Sequence, residues 1–300
     1  FGDTQFSSDW DYNPVALAVR VPFGPGTLRA FAGNLAEGDE AVAKDDFVHY
    51  QFDYRLPLRG RDHLDLAVTL ADVSDGATPP SNRHYASYGA GGRFDVGPVS
   101  VHAFALGART DRALLGTTDD AKGVAAKLEF TGKIGQGDFG LLFTRATGEA
   151  DGSGFLPIMA LAKTNGYWGY TGLLTIQGPT DTGFDGDSVN IGNNGYGLTS
   201  VQAKYRFPIS ERLSGYVAAG WFGGADTPAG RGDDVGSDLL LMGTYRFNKI
   251  LVLDFGAGHA QLKDALSGYA QGVIGGAAFN QAPGTTRTKT ALFSRLQAEF

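Results

Sequence analysis

The chain has 300 residues, 45 of them glycine and none cysteine, and a formal net charge of −7 from 25 Lys+Arg against 32 Asp+Glu. Without cysteine there is no disulfide framework, thiolate metal site or cysteine nucleophile. An acidic balance without long single-sign runs also excludes a general nucleic-acid binder. The length suits one large β domain or two ordinary ones, and glycine stands at about twice its usual share of roughly 7%.

No stretch approaches ~18 consecutive apolar residues, so no transmembrane helix is expected. Strands that cross a bilayer need only about 9–11 alternating residues and leave a weaker mark. The chain opens on Phe1 without Met or a signal peptide, which reads as a processed mature form or a chain whose beginning is missing.

Strand-like runs follow one another down the chain, joined alternately by short and long connections. PVALAVRVPF (14–23) reaches TLRAFAGNLA through GPG, and the polar loop EGDEAVAKDD follows. FVHYQFDYRLPL (47–58) turns at RGRD into HLDLAVTLADV, then comes SDGATPPSNRH. YASYGAGGRFDV turns at GP into VSVHAFALGA, followed by RTDRALLGTTDD. KGVAAKLEFTGKI turns at GQG into DFGLLFTRAT, and a very long segment runs from Gly148 to Gly195. YGLTSVQAKYRFP turns at ISER into LSGYVAAGWFGG, then ADTPAGRGDDVG. SDLLLMGTYRF turns at Asn248-Lys249 into ILVLDFGAGHAQL, and the long loop 263–287 leads to the last run, 288–300.

The runs alternate with period two, so each strand has two unlike faces. Val48, Tyr50, Phe52, Tyr54 and Leu56 oppose His49, Gln51, Asp53 and Arg55. Leu64, Leu66, Val68 and Leu70 oppose His63, Asp65 and Thr69. Val124, Ala126, Leu128 and Phe130 oppose Lys127, Glu129, Thr131 and Lys133, and Val201, Ala203, Tyr205 and Phe207 oppose Ser200, Gln202, Lys204 and Arg206. DFGLLFTRAT and LSGYVAAGWFGG are apolar on both faces and cannot be oriented from the pattern. Phe23, Tyr54, Phe94, Phe130, Tyr205, Phe207, Tyr245 and Phe247 gather just before the tight turns, with Phe300 at the end, the placement of an aromatic girdle at one membrane interface.

About thirteen strands with tight turns on one side and long polar loops on the other resemble a bacterial outer-membrane β-barrel, with short periplasmic turns and long extracellular loops. The last run, TKTALFSRLQAEF, resembles the closing strand of such barrels. There Leu296, Ala298 and Phe300 would serve the outer-membrane assembly machinery as a recognition signal. The fold expected is therefore all-β: one transmembrane antiparallel up-and-down barrel over residues 1–300. An even strand number makes FGDTQFSSDW a degenerate first strand, giving about fourteen, or places further strands upstream of Phe1.

On the polar faces stand Arg20, Arg55, Arg93, Lys127, Lys204, Arg206, Arg246 and Arg295, with Asp53, Asp65, Asp95, Glu129, Asp238, Asp254 and Glu299. Opposed charges across a lumen would order water and select charged or dipolar solutes; paired across strands, they would only keep a wall wetted. In porins a long loop commonly folds into the barrel and narrows it, and Gly148–Gly195, with its apolar FLPIMALAK, resembles that arrangement. The loop 263–287 is a weaker candidate for a lid. Asp181, Asp185, Asp187 and Asn190 offer oxygens to Ca²⁺, but their spacing departs from the D-x-[DN]-x-[DN]-G loop. His49, His63, His84, His102 and His259 show no metal-ligand spacing, and no G-x-S-x-G elbow is present.

The function expected is a porin, similar to alginate-export porins in its glycine-rich strands and arginines. It would pass small hydrophilic solutes, with the arginine excess on the strands pointing to anions, and would need no cofactor and no chemical step. Partners implied are the lipid bilayer and lipopolysaccharide, the assembly machinery, small solutes, and a homotrimer or periplasmic partner. Two other classes fit the pattern: a non-conducting barrel that anchors or sheathes a partner, including an electron-transfer conduit, and a soluble carbohydrate-binding β protein.

Overall fold

Alternation sets the architecture in a computed structural model that describes residues 15–36, 47–73, 83–111, 120–161, 166–177, 188–269 and 277–298. Strands β1 (Val15–Phe23), β2 (Gly26–Ala36), β3 (Phe47–Pro57), β4 (His63–Val73), β5 (Arg83–Val96), β6 (Val99–Thr110), β7 (Ala121–Ile134) and β8 (Gly137–Ala146) form the first part. The second holds β9 (Leu198–Pro208), β10 (Leu213–Gly224), β11 (Asp234–Arg246), β12 (Leu251–Lys263), β13 (Ser267–Tyr269), β14 (Ala277–Phe279) and β15 (Thr286–Ala298). Thirteen of these make one antiparallel sheet in chain order, β1 through β12 and then β15, while β13 and β14 pair as a separate ribbon. The about fourteen strands expected agree with this count. Among the described residues β1 and β15 do not pair, so the sheet is not closed there. Phe1–Pro14, Glu299 and Phe300 lie outside the described residues.

Three of the tight turns have two residues, Gly24-Pro25, Gly97-Pro98 and Gly135-Gln136. The glycines lie at φ +56°, +62° and +60°, the left-handed value a II′ hairpin asks of its first central residue. A Cβ at Gly24, Gly97 or Gly135 would meet no atom, so backbone conformation rather than space selects glycine there.

Elsewhere glycine makes room for aromatic rings. A Cβ on Gly26 would lie 2.5 Å from the Tyr54 ring, and one on Gly137 would lie 2.5 Å from the Tyr205 ring. The phenols close the motif by donating to carbonyls before the turns, Tyr54 to Phe23 at 3.2 Å and Tyr205 to Ile134 at 2.9 Å. Tyr205 also stacks on Phe207 at 5.6 Å. Much of the glycine content is thus matched to neighbouring rings.

Two unlike faces result. Outward stand Leu17, Phe23, Leu66, Tyr88, Val124, Leu241 and Leu292, the last 82% exposed. Inward stand Gln51, Asp53, Asp65, Thr69, Ser87, Thr144, Ser200, Gln202, Asp238 and Asp254, all buried. Apolar out and polar in is the reverse of a water-soluble sheet packed on its own core.

The chain between β8 and β9 lies against the inward face. It carries one helical turn, α1 (Ile158–Leu161), and a 3₁₀ turn at Asn193–Gly195. Phe155, Leu156, Ile158, Leu173, Leu174, Val189 and Ile191 share one buried cluster with Phe47 of β3, Tyr85 of β5, Phe222 of β10 and Leu262 of β12. A cluster fed by strands from β3 to β12 means that the sheet curls around this segment. The two runs left unoriented by pattern are resolved by it. Leu142 of β8, with Tyr216 and Ala218 of β10, points inward and packs with Tyr170, Leu240 and Met242. Their inner face is apolar because the inner segment covers it.

Candidate functional site: the inward face and its inner segment

Charge on the inward face falls into two zones. In the first, β1–β6, cations keep contact with water. Arg55 donates from Nε and Nη2 to the Asp65 carboxylate at 2.7 and 2.9 Å, with the Arg55 side chain 45% exposed. Such a two-point pair fixes the guanidinium plane. Asp53 accepts from Gln51 Nε2 at 2.8 and 2.9 Å and lies 3.8 Å from Arg29. Arg93 is exposed and donates to Ser100 Oγ at 2.8 Å. Arg20, cross-strand from Arg29, is exposed on β1.

In the second zone, β7–β12, the charges hold the inner segment. Tyr170 donates its hydroxyl to Glu129 Oε1 at 2.5 Å, and Lys204 Nζ lies 4.0 Å from the centre of the Tyr170 ring. Glu129 also lies 3.6 Å from Lys127 and 3.8 Å from His102. The Tyr170 amide donates to Gln202 Oε1 at 2.8 Å, and Tyr216 donates to the Tyr170 carbonyl at 2.7 Å. The amides of Leu173 and Leu174 donate to Asp238 Oδ2 at 2.8 and 2.7 Å. The Tyr167 hydroxyl sits 2.9 Å from Ser200 Oγ and 3.0 Å from Gln202 Nε2. A segment entering a wall of polar side chains must find partners for its backbone, and Gln202 and Asp238 supply them.

Lys127, Glu129 and Lys204 therefore stand under the inner segment, whereas Arg20, Arg55, Arg93, Asp53 and Asp65 stand on the wall beside it. Arg206 packs over the Tyr216 ring at 5.3 Å, Arg246 is exposed at the turn end, and Arg295 lies 3.7 Å from Asp254. Leu296 and Ala298 are exposed on the outward face of β15. Asp181, Asp185 and Asp187 lie outside the described residues. Asn190 is turned to local structure, its Oδ1 accepting from the Gly192 and Asn194 amides at 3.1 Å each. Among the described residues no cluster of three His, Cys, Asp or Glu could hold a metal ion.

Tyr167 and Tyr170 are the anchoring residues that pattern reading does not single out, whereas Gln202 and Asp238 stand among the polar-face residues of the alternating strands. NGYWGY sets two tyrosines three residues apart between glycines, a visible signal, but their hydrogen-bond partners come from β7, β9 and β10, far away in the chain.

No protein-family model matches the chain, and no curated protein matches it either. Among solved structures it is similar to the siderophore receptor PirA from Acinetobacter baumannii, at 12% identity and a TM-score of 0.43, covering 95% of this chain and 47% of that one. It is similar to CdiB from Escherichia coli, at 12% identity and a TM-score of 0.43, covering 94% of this chain and 58% of that one. A third is the CymD monoaromatic hydrocarbon channel, at 10% identity and a TM-score of 0.32, covering 95% and 82%. The chain thus spans about half the length of the first two. No family follows from likeness at this level.

Proposed function

We propose that the chain is an outer-membrane β-barrel channel of the porin type, passing small hydrophilic solutes by diffusion. One observation carries the reading: strands of 9 to 14 residues turn a continuous apolar band outward and a charged, hydrogen-bonded wall inward. That length crosses the hydrocarbon layer, and burying the outward leucines, valines and aromatics in lipid removes their cost of exposure to water. Tyr54, Tyr205, Phe207, Tyr245 and Phe247 at the turn rim fit the headgroup level.

Transport follows from the division of the inward face. The inner segment, tied by Tyr170, Leu173 and Leu174, occupies the β7–β12 side and narrows the passage. Solute moves along the remaining wall, where Arg20, Arg55 and Arg93 favour anions through Coulomb attraction in a confined, poorly screened space. No bond is made or broken in this step, and no cofactor is assigned to it.

Planar-bilayer recording with the purified protein tests the reading: discrete conductance steps with anion preference are expected, and silence at every salt concentration refutes it. The close packing of Leu173, Leu174 and Tyr170, all at 4% exposure or less, favours one second reading, a barrel sealed by its inner segment that serves as anchor or sheath. Membrane insertion without conductance is the outcome that selects it.

A further inference from the structure

At the turn end of the inward face, β8–β11 border a cavity of about 320 Å³ lined by Arg206, Arg212 and Arg246 together with Asp138, Glu211 and Ser214. Cross-strand register brings these residues to one place. Arg206 of β9 stands opposite Asp138 of β8 and Tyr216 of β10. Ser214, one inward step from Tyr216, stands opposite Pro208 of β9 and Thr244 of β11. Arg246 follows one inward step beyond Thr244 and donates its amide to the Arg212 carbonyl at 2.8 Å. The inner segment lies next to the cavity on its loop side, because Tyr216, on whose ring Arg206 packs, donates to the Tyr170 carbonyl.

The lining holds more positive charge than it answers. Among the described residues none of the three guanidinium groups forms an ion pair. Asp138 lies 3.9 Å from Lys133, and the nearby Asp254 accepts from Thr244 and lies 3.7 Å from Arg295. Three arginines therefore face the one remaining carboxylate, Glu211, which is exposed on the turn. Ser210, also on the lining, accepts the Leu213 amide at 3.2 Å, which leaves its own O–H to donate. A cleft with one sign of charge in excess concentrates ions of the other sign. Guanidinium forks match the oxygens of phosphate and carboxylate in particular.

Room and spacing limit the size of the occupant. The volume stands at the lower end of the roughly 300–1,000 Å³ of small-molecule sites. Arg206 and Arg246 sit on strands two spacings apart, ~10 Å, so their side chains can close on a small solute from opposite sides. We infer that this turn-side cavity is a subsite for small dianions, phosphate monoesters or dicarboxylates, held between Arg206 and the Arg212–Arg246 pair. The channel reading enters only in taking the inward face as the solute's path. Unlike Arg55, which is paired with Asp65 on the open wall, these arginines are left to the solute.

The test is calorimetric titration of the protein in detergent, at pH 8 and low chloride, with inorganic phosphate, succinate and acetate. Saturable binding of phosphate or succinate at least tenfold tighter than acetate is expected, and the tighter of the two dianions names the solute class. Arg212→Gln and Arg246→Gln should each weaken it about tenfold, the size of one lost charge-assisted hydrogen bond. Arg61→Gln, which removes an exposed arginine from another turn of the same rim, should leave it unchanged. Heat-modifiable migration on gels reports folding, and Arg206→Gln replaces either variant that fails to fold. Absence of saturable dianion binding, acetate binding as tightly, cavity variants that bind like the parent, or an equal loss in Arg61→Gln overturns the subsite. Conductance without dianion binding removes the subsite and leaves the channel; dianion binding without conductance does the reverse.

Discussion

Replacing Asp238 by alanine should release the inner segment from the wall. The carboxylate of Asp238 accepts from the amides of Leu173 at 2.8 Å and Leu174 at 2.7 Å, in a place with 3% exposure. Hydrogen bonds to a charged group are worth about 1.5–3 kcal/mol each, and the truncation also leaves two buried donors unpaired. Burying the carboxylate itself offsets part of this, so the docked state should lose about 3 kcal/mol net. Every 1.4 kcal/mol is about tenfold, so the undocked population should rise about a hundredfold. Limited proteolysis within 148–195 in detergent reads that population through the cleavage rate, and single-channel recording reads it as a larger or noisier conductance. Asp238→Asn, which keeps one acceptor oxygen, should fall between. If Asp238→Ala is cleaved at the parent's rate while folding normally, the anchoring role of Asp238 is wrong.

Exchanging Arg55, Arg93 and Arg246 for glutamate should move the bilayer reversal potential toward cation selectivity; an unchanged potential would remove these residues from the conduction path. Gly26→Val sets new atoms against the Tyr54 ring and the Arg55 carbonyl, each 2.5 Å from an added Cβ, and overpacking of this kind costs about 1–3 kcal/mol. Its gel-shift melting temperature should fall below that of Gly24→Ala, and the opposite order would argue against the ring-over-glycine motif. Asp264, outside the strands, accepts from the Gly284 amide at 2.8 Å and the Gly232 amide at 3.1 Å, and these hold its carboxyl below the usual range, with Arg231 aiding. A lowered folded value means the clamp is whole at neutral pH and weakens only as pH falls below the ordinary carboxylate range, so protease access to 277–285 should rise on acidification. Asp264→Asn should flatten that pH profile; a profile unchanged by the substitution would exclude the clamp.

The strand order was legible because period two is local: Val48 to Leu56 against His49 to Arg55 separates two faces within a single run. The tight turns were legible as well, since Gly-Pro and Gly-Gln leave few backbone options. Leu142, Tyr216 and Ala218 escaped orientation because what makes their inner face apolar lies between β8 and β9 and arrives through the fold. The same holds for the charges. Arg55 and Lys127 look alike in sequence, each on the polar side of an alternating strand, yet one pairs on an open wall and the other sits 3.6 Å from Glu129 beneath the inner segment. Whether a lysine meets water or a folded-in loop depends on residues scores of positions away.

The cluster that joins Phe47 and Tyr85 to Phe155, Leu173 and Leu262 has a consequence for the order of events during assembly. Its members come from both before and after the inner segment, so neither half of the sheet can complete that core alone. Docking of the segment must accompany the curling of β9–β12 toward β3, and late threading through a finished wall is unnecessary. Long-range contacts of this kind make folding slow. The segment between β8 and β9 would then act as an internal mandrel, setting the curvature of the wall as it forms.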